Sequence, residues 1–92
     1  MKYKVFLTKS FQKDLKRIQK RKCKIEELNN VIDMLTAGQS LPEKYHDHQL
    51  VGNLKKFREC HIRPDWLLIY QKIDEKLILV LSRTGSHSDL LK

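Results

Sequence analysis

The chain has 92 residues, which is enough for one domain and too few for two, so we predict a single domain over residues 1–92. Lys and Arg number 19 against 11 acidic residues, and the formal charge of +8 favours a polyanionic partner, either nucleic acid or an acidic protein. No apolar run approaches the roughly 20 residues that span a bilayer, and no secretion signal is visible. These features argue against a membrane protein, and we expect a cytoplasmic location.

The first half of the chain predicts one strand and two helices. Residues 2–7 alternate, with Tyr3, Val5 and Leu7 on one side, as in a strand. Apolar residues then recur at helical spacing in two segments, at Phe11, Leu15 and Ile18 and at Ile25, Leu28, Ile32 and Leu35. Thr8 and Ser10 offer N-cap hydroxyls, and Gly38 stands where a helix often ends. The short connection between the segments predicts an antiparallel helical hairpin.

The second half predicts strands after a polar segment. Residues 39–53 are polar, and an irregular loop of this length usually binds something or is disordered. Residues 57–62 alternate, residues 66–73 form the apolar run of a central strand, and residues 77–81 return as its hairpin partner. The order β-α-α-β-β-β predicts an α+β fold, with the helical hairpin packed on one face of a twisted, mainly antiparallel sheet.

The histidines and cysteines raise the question of a metal site. All four histidines lie from the middle of the chain onward, at His46, His48, His61 and His87. Their spacing matches no closed structural zinc site, and the neighbouring strand residues Cys60 and His61 should point to opposite faces. Zinc is therefore a minor alternative, and we expect no cofactor. Cys23 and Cys60 lack a C-x-x-C pattern and are interpreted as free thiols.

The polar residues at the strand ends suit phosphodiester cleavage. RNA is cleaved without metal when a base takes the ribose 2′-hydroxyl proton and an acid protonates the leaving 5′ oxygen. Histidine serves both roles near neutral pH, and a guanidinium matches the phosphate oxygens on which charge develops. His61, Asp65, Arg83 and His87 supply these groups. Trp66 is either a core anchor or a surface on which a base stacks.

At this point the sequence resembles a known family. The stretches "YHDHQLVGNLKKFRECHIRPDWLLIY" and "SRTGSHSDLL" resemble the YafQ branch of the RelE/ParE toxin superfamily in the order and spacing of their motifs. The resemblance implies a RelE-like fold and the toxin of a bacterial type II toxin–antitoxin system. It also implies a ribosome-dependent endoribonuclease, an mRNA interferase that cuts mRNA in the A site. A cognate acidic antitoxin is the implied protein partner, and the toxin–antitoxin complex is a candidate ligand of operator DNA.

The family's functional positions fall on named residues of this chain. The implied catalytic residues are His48, His61, Asp65, Arg83 and His87. Trp66 and Leu91 fall on substrate-binding positions, and the family commonly has an aromatic residue where Leu91 stands. The basic run adds candidate RNA contacts of its own, namely Lys16, Arg17, Lys20 and Arg21.

Two other functions stay open on the sequence. One is the ParE-like activity of the same superfamily, a toxin that poisons DNA gyrase without cutting nucleic acid. The other is a basic regulator that only binds nucleic acid. The set of histidine, arginine and carboxylate side chains favours the endoribonuclease, because neither alternative needs acid–base residues.

Overall fold

The frame of the molecule is a five-stranded sheet with the strand order β1-β5-β4-β3-β2. The computed structural model describes residues 2–90. Its strands are β1 Lys4–Leu7, β2 His48–Gln49, β3 Arg58–Arg63, β4 Trp66–Ile73 and β5 Ile78–Gly85. β1 runs parallel to β5, whereas the other neighbouring strands are antiparallel. The predicted mainly antiparallel sheet is therefore confirmed.

Within the described residues, three α-helices accompany the sheet: α1 Lys9–Lys20, α2 Ile25–Thr36 and α3 His87–Leu90. Thr8 caps α1, because its hydroxyl accepts the N–H of Phe11 at 3.0 Å. The other candidate cap, Ser10, lies inside the helix. Gly38 follows α2 with a φ of 78°, and its N–H closes the helix on the carbonyl of Leu35 at 3.0 Å. Gly38 therefore ends α2 as the sequence predicts.

The core lies between the two long helices and one face of the sheet. Phe11 and Ile18 of α1 are buried against the same cluster as Leu28 and Leu35 of α2. The sheet contributes alternate residues, which in β4 are Trp66, Leu68 and Tyr70 and in β5 are Leu79 and Leu81. The helices therefore cover one face, and residues that alternate with the core residues, such as Glu59 and His61 of β3, project to the other face.

Several predicted boundaries are wrong, among them that of β3, which was predicted over residues 57–62 and spans Arg58–Arg63. β1 begins at Lys4, and only Tyr3 of its predicted inner side is buried, whereas Val5 and Leu7 are 36% and 45% exposed. The reason is that β1 is an edge strand with a neighbour on one side only. β5 continues to Gly85 because Leu67 of β4 pairs with that residue. Finally, the predicted irregular segment contains the short strand β2 and two 3-10 turns.

Within residues 2–90, no helix has the length and the apolar character needed to cross a membrane. Both cysteines are free thiols, as the sequence predicts. Cys60 is buried in the core and Cys23 is partly buried. Burial raises the pKa of the Cys60 thiol to about 12.

Candidate active site

The strand register places three of the predicted catalytic residues, His48, His61 and Arg83, on one face of the sheet. His48 of β2 pairs with Glu59 of β3, Glu59 pairs with Ile69 of β4, and Ile69 pairs with Arg83 of β5. Directly opposed residues in antiparallel strands project to the same side, so His48, Glu59 and Arg83 share one row across four strands. His61 lies two residues along β3 from Glu59 and therefore projects to the same face.

Irregular pairing borders this row on two strands. The β3–β4 register shifts between His61 and Arg63, and the β4–β5 register shifts between Ile69 and Tyr70. Such bulges re-aim side chains and are common beside functional sites. Here they flank His61 on one strand and Arg83 on the other.

Three imidazole rings surround His61. Its ring centroid lies 5.8 Å from that of His46, 6.4 Å from that of His48 and 5.9 Å from that of His87. The rings come from the polar segment before β2, from β2, from β3 and from α3. All four histidines of the chain thus meet at one place, although they are up to 41 residues apart in sequence, from His46 to His87.

Three of these rings have their Nδ1 atom held by an oxygen. His48 Nδ1 lies 2.7 Å from the carbonyl oxygen of His46, and His61 Nδ1 lies 3.2 Å from the carbonyl oxygen of Pro64. His87 Nδ1 lies 2.6 Å from Asp65 Oδ1. Because each acceptor favours a proton on Nδ1, the neutral ring keeps the lone pair on Nε2. Nε2 is then the atom of each ring that is left for proton transfer, and those of His48 and His61 face the carboxylate of Glu59.

Asp65 is bonded twice to His87. The same carboxylate oxygen accepts the His87 main-chain N–H at 2.9 Å and contacts Nδ1 at 2.6 Å. These hydrogen bonds, with the main-chain one first, hold the pKa of Asp65 below its usual range. Asp65 thus remains ionised and fixes both the backbone and the ring of His87.

The "RTGSH" segment folds so that His87 begins α3. The N–H of Ser86 donates to Asp89 Oδ2 at 2.9 Å, and the N–H of Asp89 donates back to Ser86 Oγ at 3.2 Å. This is the reciprocal arrangement of a capping box. Gly85 has a φ of 152°, and a Cβ atom there would lie 2.9 Å from Asp89 Oδ2, so glycine is required by the close approach.

Arg83 is brought to the site but is already paired. Its Nε and Nη2 donate to the two carboxylate oxygens of Asp14 at 2.6 and 3.1 Å. The hydrogen bonds from Arg83 to Asp14 raise the pKa of the Arg83 guanidinium, which is therefore cationic at any working pH. Its side chain is 36% exposed, so part of the guanidinium reaches solvent.

Two of the basic residues predicted to contact RNA, Arg17 and Arg21, are paired with carboxylates of this chain. Arg21 donates to Asp89 at 2.6 and 3.0 Å, and Arg17 lies 3.2 Å from Asp14 and 3.7 Å from Asp89. Both guanidiniums therefore contact carboxylates of this chain while remaining partly exposed, and their contact with RNA stays a prediction. Lys16 and Lys20 are exposed on α1, and their contact with RNA stays a prediction.

Trp66 and Leu91 are the two remaining residues that were predicted to bind substrate. Trp66 is 6% exposed, and its Nε1–H donates to Thr84 Oγ1 at 3.0 Å. The indole is thus a core anchor, and the prediction of a base-stacking side chain is corrected because its faces are covered. Leu91 lies outside the described residues, so its role stays a prediction.

The sequence interpretation missed Glu59, His46 and Asp14. Glu59 lies between two rings, with Oε1 3.4 Å from His48 Nε2 and 4.0 Å from His61 Nε2. Its position two residues before His61 in an alternating strand was the available signal. His46 has a positive φ of 49°, a conformation uncommon outside glycine that often marks a functional segment. Asp14 was detectable as a carboxylate inside the apolar stripe of α1.

The histidines and carboxylates of the site could also be considered as ligands of a metal ion. Among residues 2–90, no group of three or more His, Cys, Asp and Glu side chains is arranged to hold a metal ion. A surface pocket beside the rings is lined by Tyr45, His46, His61 and Pro64. That pocket lies between the rings of His46 and His61 and the side chains of Glu27 and Asn30 on α2, whereas His48 and His87 lie outside it on the exposed surface.

Comparison with known proteins agrees with the fold. A family model described as "Bacterial toxin of type II toxin-antitoxin system, YafQ" matches residues 3–92. The mRNA interferase toxin YafQ of Escherichia coli K12 is 38% identical over 81 residues, which cover 87% of this chain and 86% of that toxin. In the crystal structure of the E. coli DinJ–YafQ toxin–antitoxin complex, a chain that is 33% identical superposes with a TM-score of 0.91 over 100% of both chains. A metal-bound toxin from Helicobacter pylori is 44% identical, with a TM-score of 0.89 over 98% of this chain and 99% of that one.

The class of protein follows from these matches together with the fold. It is the small α+β toxin of bacterial type II toxin–antitoxin systems. Within that class, the chain belongs to the YafQ family.

Proposed function

We propose that this toxin is a ribosome-dependent endoribonuclease that cuts mRNA in the A site by attack of a ribose 2′-hydroxyl. The observation that carries the proposal is the cluster of imidazoles around His61, in which three Nδ1 atoms are held by oxygen acceptors. A ring anchored in this way keeps one orientation and one tautomer, which a proton-transfer group requires. The name of the E. coli relative, an mRNA interferase, supports the same activity.

The reaction needs two proton transfers and no external nucleophile. One imidazole Nε2 removes the proton of the 2′-hydroxyl, and the oxygen forms a bond to phosphorus. The bond from phosphorus to the 5′ oxygen breaks, and a protonated imidazole supplies the proton to that leaving oxygen. His48 and His87 flank His61 on opposite elements, which suits them to act as this pair. Asp65 holds the His87 ring in a fixed orientation because its carboxylate contacts Nδ1 at 2.6 Å.

The phosphate requires a cationic partner. Two non-bridging oxygens gain negative charge as phosphorus becomes five-coordinate, and a guanidinium fork stabilises such oxygens. Arg83 stands in the same row as His48 and Glu59, and part of its side chain reaches solvent. It is therefore the group that we assign to the transition state.

The partners follow from charge and family. The formal charge of +8 suits both ribosomal RNA and an acidic antitoxin, and the DinJ–YafQ complex of E. coli provides a precedent for an antitoxin partner. We place the activity in the cytoplasm, where translated mRNA is found. We also propose that the chemistry needs no metal ion, since the imidazoles and the guanidinium supply every role.

Replacing a single ribose separates the mechanisms. With deoxyribose 5′ to the cut, the nucleophile is lost while the phosphate, base and codon remain. Cleavage of an A-site mRNA should then fall below detection, whereas the normal substrate should yield a 2′,3′-cyclic phosphate and a 5′-hydroxyl end. A metal-activated water would cut the deoxy substrate and would be inhibited by a chelator. Efficient cleavage of the deoxy substrate would therefore contradict the proposal.

Substitution of His87 tests the acid–base assignment. His87→Ala should lower the single-turnover cleavage rate about 10²- to 10⁴-fold while ribosome binding is kept. Ser88→Ala, on the next and exposed residue of α3, is the matched control and should cleave at the normal rate. A near-normal rate for His87→Ala would contradict the assignment of this residue.

A further inference from the structure

A buried carboxylate stands directly behind the arginine of the site. Asp14 lies on the core-facing side of α1 between Phe11 and Ile18 and is only 1% exposed. An unpaired carboxylate in such a place would strongly destabilise the fold, so its partners determine whether it is tolerated. The described contacts supply four: Arg83 Nε at 2.6 Å, Arg83 Nη2 at 3.1 Å, Arg17 Nη2 at 3.2 Å and the main-chain N–H of Thr84 at 3.1 Å.

These contacts fix the orientation of the guanidinium. Asp14 takes the edge formed by Nε and Nη2, so two of the five N–H groups of Arg83 are used. The two donors on Nη1 and the second donor on Nη2 are left for another acceptor. Asp14 Oδ2 also accepts the N–H of Thr84, and the carboxylate is thus anchored to the backbone of β5 next to Arg83 itself.

The pairing does not cancel the positive charge at this place. Asp14 carries one negative charge, whereas Arg17 and Arg83 carry one positive charge each, so the trio keeps a net positive charge. An anion that approaches the exposed edge of Arg83 therefore still meets a cation. The long side chain of arginine loses much conformational freedom when it binds an anion, and here Asp14 has already restricted that freedom.

We propose that Asp14 is a positioning residue for catalysis, which holds the Arg83 guanidinium so that its unshared edge faces the scissile phosphate. The inference rests on the role proposed for Arg83 in the cleavage reaction. A buried residue of the N-terminal helix thus acts on the reacting phosphate through a strand 69 residues away.

A double-mutant cycle tests the proposal. Arg83→Gln removes the cation and should lower kcat about 10²- to 10³-fold. Asp14→Asn leaves the guanidinium in place but misdirected, and we expect kcat to fall about 10- to 100-fold with KM nearly unchanged. If Asp14 acts through Arg83, the double variant should have the same kcat as Arg83→Gln alone. Multiplied effects in the double variant would overturn the proposal.

Two controls distinguish a loss of catalysis from a loss of folding. Asp74→Asn removes a different carboxylate, which accepts a 2.6 Å hydrogen bond from the Tyr3 hydroxyl. Asp74 follows the last residue of β4, and within the described residues no hydrogen bond or ion pair joins it to a histidine ring, so this variant should keep the normal kcat. Circular dichroism establishes that each variant is folded at the assay temperature. If Asp14→Asn is unfolded, Arg83→Ala with Asp14 intact replaces it, and added guanidinium should restore cleavage along a saturating curve. A rescue that never saturates would show that no carboxylate holds the ion and would overturn the proposal.

The outcomes also separate the two proposals. A normal kcat for Arg83→Gln would contradict the role of Arg83 in the proposed function, and the role of Asp14 with it. A low kcat for Arg83→Gln together with a normal kcat for folded Asp14→Asn would contradict only the role of Asp14.

Discussion

Thr84, which follows Arg83 in β5, makes buried hydrogen bonds to Trp66 and Leu67 of β4. Its replacement by valine tests how much these hydrogen bonds stabilise the fold. The side chain is fully buried, and its hydroxyl accepts Trp66 Nε1–H at 3.0 Å and donates to the carbonyl of Leu67 at 2.7 Å. Valine has nearly the same shape but neither donates nor accepts a hydrogen bond. Thr84→Val should therefore leave the indole N–H and the carbonyl without this partner in the core.

The size of the effect follows from those two groups. A buried polar group that loses its partner costs about 1–3 kcal/mol. The indole N–H has no second site, whereas a carbonyl has another lone pair, so we expect a total of about 2–4 kcal/mol. In a domain of this length, such a loss corresponds to a fall in Tm of roughly 10–30 °C.

Equilibrium unfolding in urea measures the loss. Thr36→Val is the matched control, because the Thr36 hydroxyl donates at 2.7 Å to the carbonyl of Ile32 within α2 and is only partly buried. Removing that bond should cost less than about 1 kcal/mol, since both groups remain near water. If the two variants unfold within about 0.5 kcal/mol of each other, the reasoning about the buried hydroxyl is refuted.

Further predictions concern the thiols, the turn before α3 and its carboxylate. Native protein should react with a thiol reagent at Cys23 but not at the buried Cys60. Because the pKa of Cys60 is raised to about 12, the free energy of unfolding should fall as the pH rises above the ordinary thiol value of 9.0. Cys60→Ala should abolish that loss in urea titrations. Gly85→Ala should destabilise the fold by about 1 kcal/mol or more in the same assay, because the new Cβ meets Asp89. Hydrogen bonds from Arg21 and from the Ser86 N–H hold the pKa of Asp89 below its ordinary value of 3.8, so its contribution is present above that pH and is lost as the pH falls further. Asp89→Asn should therefore be less stable at neutral pH and show a flatter acid limb; an unchanged acid limb would contradict the pairing.

The fold was predictable where local patterns decide the structure. Both ends of β4 were correct, since a continuous apolar run is bounded by Asp65 and Asp74. The end of β5 was missed because Arg83 and Thr84 are polar and interrupt the apolar pattern. Their partners, Asp14 and Trp66, lie in other elements, and no local pattern contains that information.

The candidate site was predictable where its residues belong to sequence motifs. The positions of His48, His61 and His87 came from motifs that resemble the family, and the structure places all three rings together. Glu59 was missed although strand alternation placed it beside His61. The pairing of Arg17 and Arg21 could not be predicted, because a run of basic residues does not show which of them meet a carboxylate across the fold.

The pairing of the first strand with the last affects how this chain folds as it is made. Lys4 of β1 pairs with Ile78 of β5, and the Thr8 hydroxyl bonds the carbonyl of Ser82, 74 residues away. Contacts of such sequence separation form late and slow the folding of small domains. During synthesis, β1 and α1 emerge first and stay without their neighbour until β5 has also emerged. Arg83 and His87 reach their places in the same step, so a nascent chain has no assembled candidate site until its residues up to His87 have left the ribosome that makes it.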